Sequence, residues 1–121
     1  MERTLFEPEH ELFRESYRKF LEQHVAPNHA KWEEQNIVDR GVWVEAGKQG
    51  FLGTAAPEEF GGGGVKDFRY NAIVTEETTR GGYSGIGFTL HNDVVAPYLI
   101  DLANDEQKQR WLPGFCSGEL I

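Results

Sequence analysis

Between Ser84 and Leu102 the chain carries Ile86, Phe88, Leu90, Val94, Val95, Ala96, Tyr98, Leu99 and Ile100, which at helical pitch cover nearly the whole circumference rather than one stripe. A helix that is apolar all round has to be enclosed by other elements, so this segment predicts a buried central helix with the rest of the chain wrapped around it. Pro97 removes a backbone donor from its interior and predicts a bend there.

The flanking segments have the one-sided pattern that such wrapping needs. From Pro8 to about Val25, Leu12, Phe13, Tyr17, Phe20, Leu21 and Val25 recur at spacings of three and four with charged residues between them, an amphipathic helix that Pro27 disturbs at its end. A short polar segment holding Trp32 follows. Asp39 then stands as an N-cap before Val42, Trp43 and Ala46, and Gly47 and Gly50 close that helix. Lys66 to Arg80 carries Phe68, Ala72 and Ile73 at helical period and ends on Gly81-Gly82. Asn104 heads a last helix with Gln107 at the capping-box position, acidic residues in its first turn, and Pro113 marking its end. No period-two alternation bounded by turn residues stands out, so the fold class is all-α, a bundle of about five to six helices around the central one. Gly118 to Ile121 alone reads as the start of a strand.

Twelve Lys and Arg against twenty Asp and Glu give a net charge of −8 with no local basic cluster, which excludes nucleic acid as a partner. The longest apolar stretch, Val94 to Ile100, is far short of the ~20 residues a membrane span needs, and the first residues hold no apolar leader. The single cysteine, Cys116, excludes an internal disulfide and a multi-thiolate metal site, and makes the cytoplasm the default compartment. His10, His24, His29 and His91 contain no H-x-x-x-H pair, so no metal site is expected.

Four local features invite chemistry. Pro57 to Gly64, "PEEFGGGG", has a phosphate loop's glycines but lacks the Gly-Lys-Ser/Thr ending and the G-x-G-x-x-G spacing, so it is read as a tight link before Asp67, the next N-cap. Glu76 and Glu77 are adjacent, hence about 100° apart on a helix, which suits one inward carboxylate and not a catalytic pair. Cys116 has no neighbour that would activate a thiol. His91, in an otherwise apolar helix, is either a satisfied core histidine or a pocket-lining one.

The stretches Ala46-Gly47-Lys48-Gln49-Gly50-Phe51-Leu52-Gly53, Pro57-Glu58-Glu59-Phe60-Gly61-Gly62 and Asn104 to Pro113, "NDEQKQRWLP", in this order and spacing, resemble the amino-terminal helical domain of acyl-CoA dehydrogenases. "AGKQGFLG" and "GFTLHNDVVAPYL" are similar to the long-chain branch. The resemblance implies that residues 1–121 are the first domain of an α/β/α flavoprotein whose middle β domain and carboxy-terminal helical domain lie outside this chain. Such an enzyme oxidises a fatty acyl-CoA to the trans-2-enoyl-CoA by removing an α-proton and passing a β-hydride to FAD. It works as a homo-oligomer with electron-transfer flavoprotein as acceptor. The catalytic glutamate and most flavin contacts belong to the later domains, so no catalytic residue is assigned here, and the isolated chain is expected to be inactive and to retain no flavin. The resemblance gives the central helix a role in lining the acyl tunnel, with Gly87, Phe88, His91 and Val95 as substrate-binding residues. Apolar side chains with Gly85 and Gly87 beside them suit a fatty chain held by about 0.8 kcal/mol per methylene, and equally suit an ordinary core. The alternative is a self-contained helical binding or interaction module without enzymatic activity.

Overall fold

The computed structural model describes residues 1–121, all in helices, turns and loops, with no strand. The first helix, α1, spans Pro8–Phe20 and runs on through a π-helical turn at Leu21–Val25 before Pro27 stops it. Its inward side, with Tyr17, Phe20, Leu21 and Val25, is buried. A short helix, α2 (His29–Gln35), occupies the segment expected to be merely polar. Only Trp32 is buried in it, so its seven residues hold one apolar anchor and no periodic stripe to betray them.

Helix α3 covers Arg40–Lys48, with Asp39 at the N-cap position although its side chain makes no capping bond. Helix α4 covers Phe68–Gly81, and here the Asp67 carboxylate accepts the Arg69 N–H at 3.0 Å. The central segment forms α5, residues 88–102, in which bonds at Leu90–Val95 and Tyr98–Leu102 reach five residues back instead of four. The two widened turns flank Pro97, so the helix passes the proline by loosening on either side of it. Helix α6 is Asp105–Ser117. Its capping box is complete, Asn104 Oδ1 accepting the Gln107 N–H at 2.9 Å while the Asn104 N–H donates to Gln107 Oε1 at 3.0 Å.

Two expectations at the end of the chain do not hold. Pro113 lies inside α6, because Leu112, Phe115 and Cys116 around it are all buried and their packing outweighs one lost donor. Residues 118–121 form no strand; Gly118 turns the chain left-handed at the helix end and the Leu120 N–H donates to the Gly114 carbonyl at 3.0 Å.

Helix α1 packs along α4, and α3 along α6. One core joins Phe20, Trp32, Trp43, Phe51, Val74, Ile86 and Phe88. A smaller one joins Ala96 and Ile100 of α5 to Leu112, Phe115 and Cys116 of α6. The helix α5 thus lies at the centre as expected, but only one side of it is covered: Leu90, Val94, Tyr98 and Leu102 face outward, because no other element of these residues crosses that side. No helix is long and apolar enough to cross a membrane.

Candidate functional site

The glycine run closes on itself. The N–H groups of Gly61, Gly62, Gly63 and Gly64 donate to the carbonyls of Glu58, Pro57, Gly53 and Ala56 at 2.8 to 3.2 Å. A Cβ on Gly62 would strike the Ala56 carbonyl, so glycine is required by close backbone approach. With every amide spent and Glu58 and Glu59 adjacent, this loop does not fit the diphosphate of a dinucleotide such as FAD. The same loop is held from α5 by Asn92, a residue that sequence reasoning did not single out. Its Oδ1 accepts the Gly53 N–H at 3.0 Å and its Nδ2 donates to the Phe51 carbonyl at 2.8 Å.

Of the two adjacent carboxylates, Glu77 turns inward, with only 4% of its side chain exposed, and Glu76 stays at the surface. Glu77 accepts from Arg18 at 2.8 and 2.9 Å and from Arg14 at 3.0 Å, and Arg18 first and Arg14 second hold its pKa down to about 2. It is a structural anion tying α1 to α4. Glu7, Glu9 and His10 bring ligand atoms within 4.8 Å of one another, yet both His10 nitrogens are taken, Nδ1 accepting the Glu7 N–H and Nε2 donating to Asp67. Burial pushes the Cys116 thiol up to about 11, away from thiolate chemistry.

An open groove of about 630 Å³ runs along α5, walled by Trp32 and Ile37 from α2 and its exit, Trp43 from α3, Gly87 just before α5, and His91 and Val95 from α5. Gly87 sits at φ 71°, in the left-handed region that glycine adopts without strain, and a Cβ there would stand in ordinary contact with the Trp43 ring at 3.5 Å. His91 settles into both of the roles open to it. Its Nε2 donates to the Phe115 carbonyl at 3.0 Å, and its ring stacks on Phe115 at 3.7 Å and meets Trp43 edge-on at 5.1 Å while lining the groove. Burial lowers its pKa, so the ring is neutral, protonated at Nε2, with Nδ1 left as an acceptor.

Three of the four expected substrate-binding residues, Gly87, His91 and Val95, therefore share one wall. Phe88 does not: it is 1% exposed and packs inward, edge-on to Trp43 at 4.8 Å and against Phe20 at 6.1 Å. Spacings of three and four place residues on one face only at the α-helical pitch, and the widened turn at Leu90–Val95 rotates each residue less than that. Trp32, Ile37 and Trp43 were missed because they reach the groove from other helices, and a lone tryptophan in a polar segment was their one local signal.

The family described as "Acyl-CoA dehydrogenase, N-terminal domain" matches residues 7–119. The long-chain specific acyl-CoA dehydrogenase, mitochondrial, of Sus scrofa is 43% identical over 119 residues, which make up 98% of this chain and 27% of that protein. The crystal structure of an acyl-CoA dehydrogenase from Geobacillus kaustophilus superposes with a TM-score of 0.92 at 40% identity, over 99% of this chain and 31% of that one. An acyl-CoA dehydrogenase complexed with FAD from Bacillus anthracis gives a TM-score of 0.81 at 28% identity, over 98% of this chain and 21% of its own.

Proposed function

This chain belongs to the acyl-CoA dehydrogenase family, as its amino-terminal domain, and from that premise we propose that it lines the acyl-chain tunnel of an FAD-dependent enzyme oxidising fatty acyl-CoA to trans-2-enoyl-CoA. The observation that carries the reading is the apolar groove along α5, open at the surface and walled by Gly87, His91 and Val95. Buried area holds a hydrocarbon there without any charged partner. Phe88 enters the proposal from behind, by fixing the Trp43 ring that faces the chain. Of the ionisable residues on the wall, His91 is neutral with one nitrogen committed and Glu33 is an exposed carboxylate 3.8 Å from His29 Nε2, so the reading gives this chain binding and orientation and leaves the chemistry to the rest of the enzyme.

The chain spans 27% of the length of the curated relatives it matches. A middle β domain, a carboxy-terminal helical domain, FAD held outside the closed glycine loop, assembly into a homo-oligomer and electron-transfer flavoprotein as acceptor are all parts of the proposal. So is a cytoplasmic location, on the ground that Cys116 is free and buried. The test is the full-length protein assayed for flavin reduction by saturated acyl-CoA thioesters under exclusion of oxygen. Bleaching of the flavin with formation of the enoyl product is expected; a colourless protein, or a flavin that stays oxidised with every chain length, overturns it.

A further inference from the structure

Pro97 stands inside α5 without a backbone N–H, so one carbonyl of the preceding turn needs a donor from outside the helix. The pitch decides which one. The Ala96 N–H donates to the His91 carbonyl, five residues back, and on that register the carbonyl that falls to residue 97 is that of Asn92. At the ordinary α pitch it would be that of Asp93. The gap is met from α4: Asn71 Nδ2 donates to the Asn92 carbonyl at 3.4 Å, in a buried bond, and to Asp93 Oδ1 at 2.7 Å. The amide can point only this way, because both of those oxygens need a donor while Asn71 Oδ1 accepts the Thr54 hydroxyl at 3.2 Å. Asn71 is 8% exposed and Asn92 5%. The side chain of Asn92 is itself tied to Gly53 and Phe51, so this residue is held at its carbonyl and at both ends of its amide, next to His91, which meets the groove.

We propose that Asn71 is a positioning residue for the groove. By serving the carbonyl that Pro97 leaves open, it holds the widened turn Leu90–Val95 at the register that presents His91 and Val95 to the groove, and so sets which acyl chains fit, from a helix that does not itself line the site. The inference rests on the groove being the acyl-chain site, and the closing experiment separates the two.

In the full-length protein, Asn71→Leu keeps a side chain of similar shape and removes the donor. The turn then relaxes towards the α pitch and carries Val95 round from the groove, so the ratio of kcat/KM for long chains to that for short ones should change by about four- to fifteenfold, the worth of one to two methylenes. An asparagine that is only structural would lower the melting temperature and leave this ratio as it is. A double-mutant cycle with Pro97→Ala, followed by the urea midpoint, tests the link to the proline. With alanine at 97 the Asn92 carbonyl has a donor within the helix at either pitch, so of the two acceptors that Asn71→Leu abandons only Asp93 is left without it. The drop in midpoint should therefore be roughly halved in that background. An equal drop in both backgrounds overturns the proposal, and so does an unchanged length ratio in folded Asn71→Leu; Asn71→Ser, too short to span to the Asn92 carbonyl, takes its place should the leucine variant not fold. A length ratio that Val95→Phe moves and Asn71→Leu does not defeats this inference alone. A ratio that neither moves defeats the groove as acyl-chain site, and a protein that oxidises no acyl thioester defeats the dehydrogenase reading, each taking this inference with it.

Discussion

Replacing Val95 by phenylalanine should shorten the chain that the groove accepts. Val95 is 39% exposed on the groove wall and has no place in either buried core, so the larger side chain can be accommodated outward without disturbing the fold. Phenylalanine brings roughly four more carbon atoms, enough to displace about two methylenes of substrate, and at about 0.8 kcal/mol per methylene the longest chains lose about 1.6 kcal/mol, or roughly fifteenfold in kcat/KM. Chains that end before Val95 should lose nothing, so the profile of kcat/KM against length bends down at its long end. A melting curve of the same variant should stay within a few degrees of the native one. Phe88→Ala is the contrast: at 1% exposure and packed on Trp43 and Phe20, its removal should cost about 3 to 5 kcal/mol of stability. Its effect on chain length should be confined to what a loosened Trp43 passes on. An unchanged length profile in Val95→Phe, with the protein folded, would mean that this wall of α5 does not meet the substrate.

Two further outcomes concern stability. Asn92→Ala leaves the Gly53 N–H and the Phe51 carbonyl buried without partners and should cost about 2 to 4 kcal/mol in urea unfolding, with Asn92→Asp no rescue because a carboxylate cannot donate to Phe51; a loss under 1 kcal/mol would show that the loop is held by other bonds. Glu77 has its pKa depressed from 4.5 to about 2, so its stabilising effect is whole above the unfolded value and is lost as pH falls from about 4.5 towards 2. Arg18 and Arg80 are partly exposed and screened, so the effect should be about 2 kcal/mol; Glu77→Gln should lower stability by that amount at neutral pH and flatten the acid limb, and an acid limb of unchanged slope in the variant would refute the assignment.

How much of this was legible in the residues depended on whether the signal was local. The helices α1, α3, α4 and α6 announced themselves because each carries its own stripe and its own cap, and the Asn104–Gln107 box is a bond between residues three apart. The glycine run could be excluded as a phosphate loop by spacing alone, and its closed amides are the physical form of that exclusion. By contrast, Asn92 holds a loop about forty residues away in sequence, and the Trp32 and Trp43 walls come from helices whose own patterns say nothing about a groove. Such contacts exist only once the chain has folded, so no window of neighbouring residues contains them.

The central helix exposes a deeper ambiguity. Its apolar circumference predicts cover on every side, and among these residues only one side receives it, because the pattern cannot apportion the surface. Ile86, Phe88, Ala96 and Ile100 are covered by these residues, while Leu90, Val94, Tyr98 and Leu102 are not. The π-helical turns then shift which residue belongs to which side, moving Phe88 to the core and leaving His91 between core and groove. A helix meant only as a core element would gain from staying at the α pitch, where the bonds are best formed. The widened turn at Leu90–Val95 carries Leu90, His91 and Val95 to the groove wall with a contour that a regular helix would not give them, whereas the widened turns at Leu21–Val25 and Tyr98–Leu102 lie away from the groove.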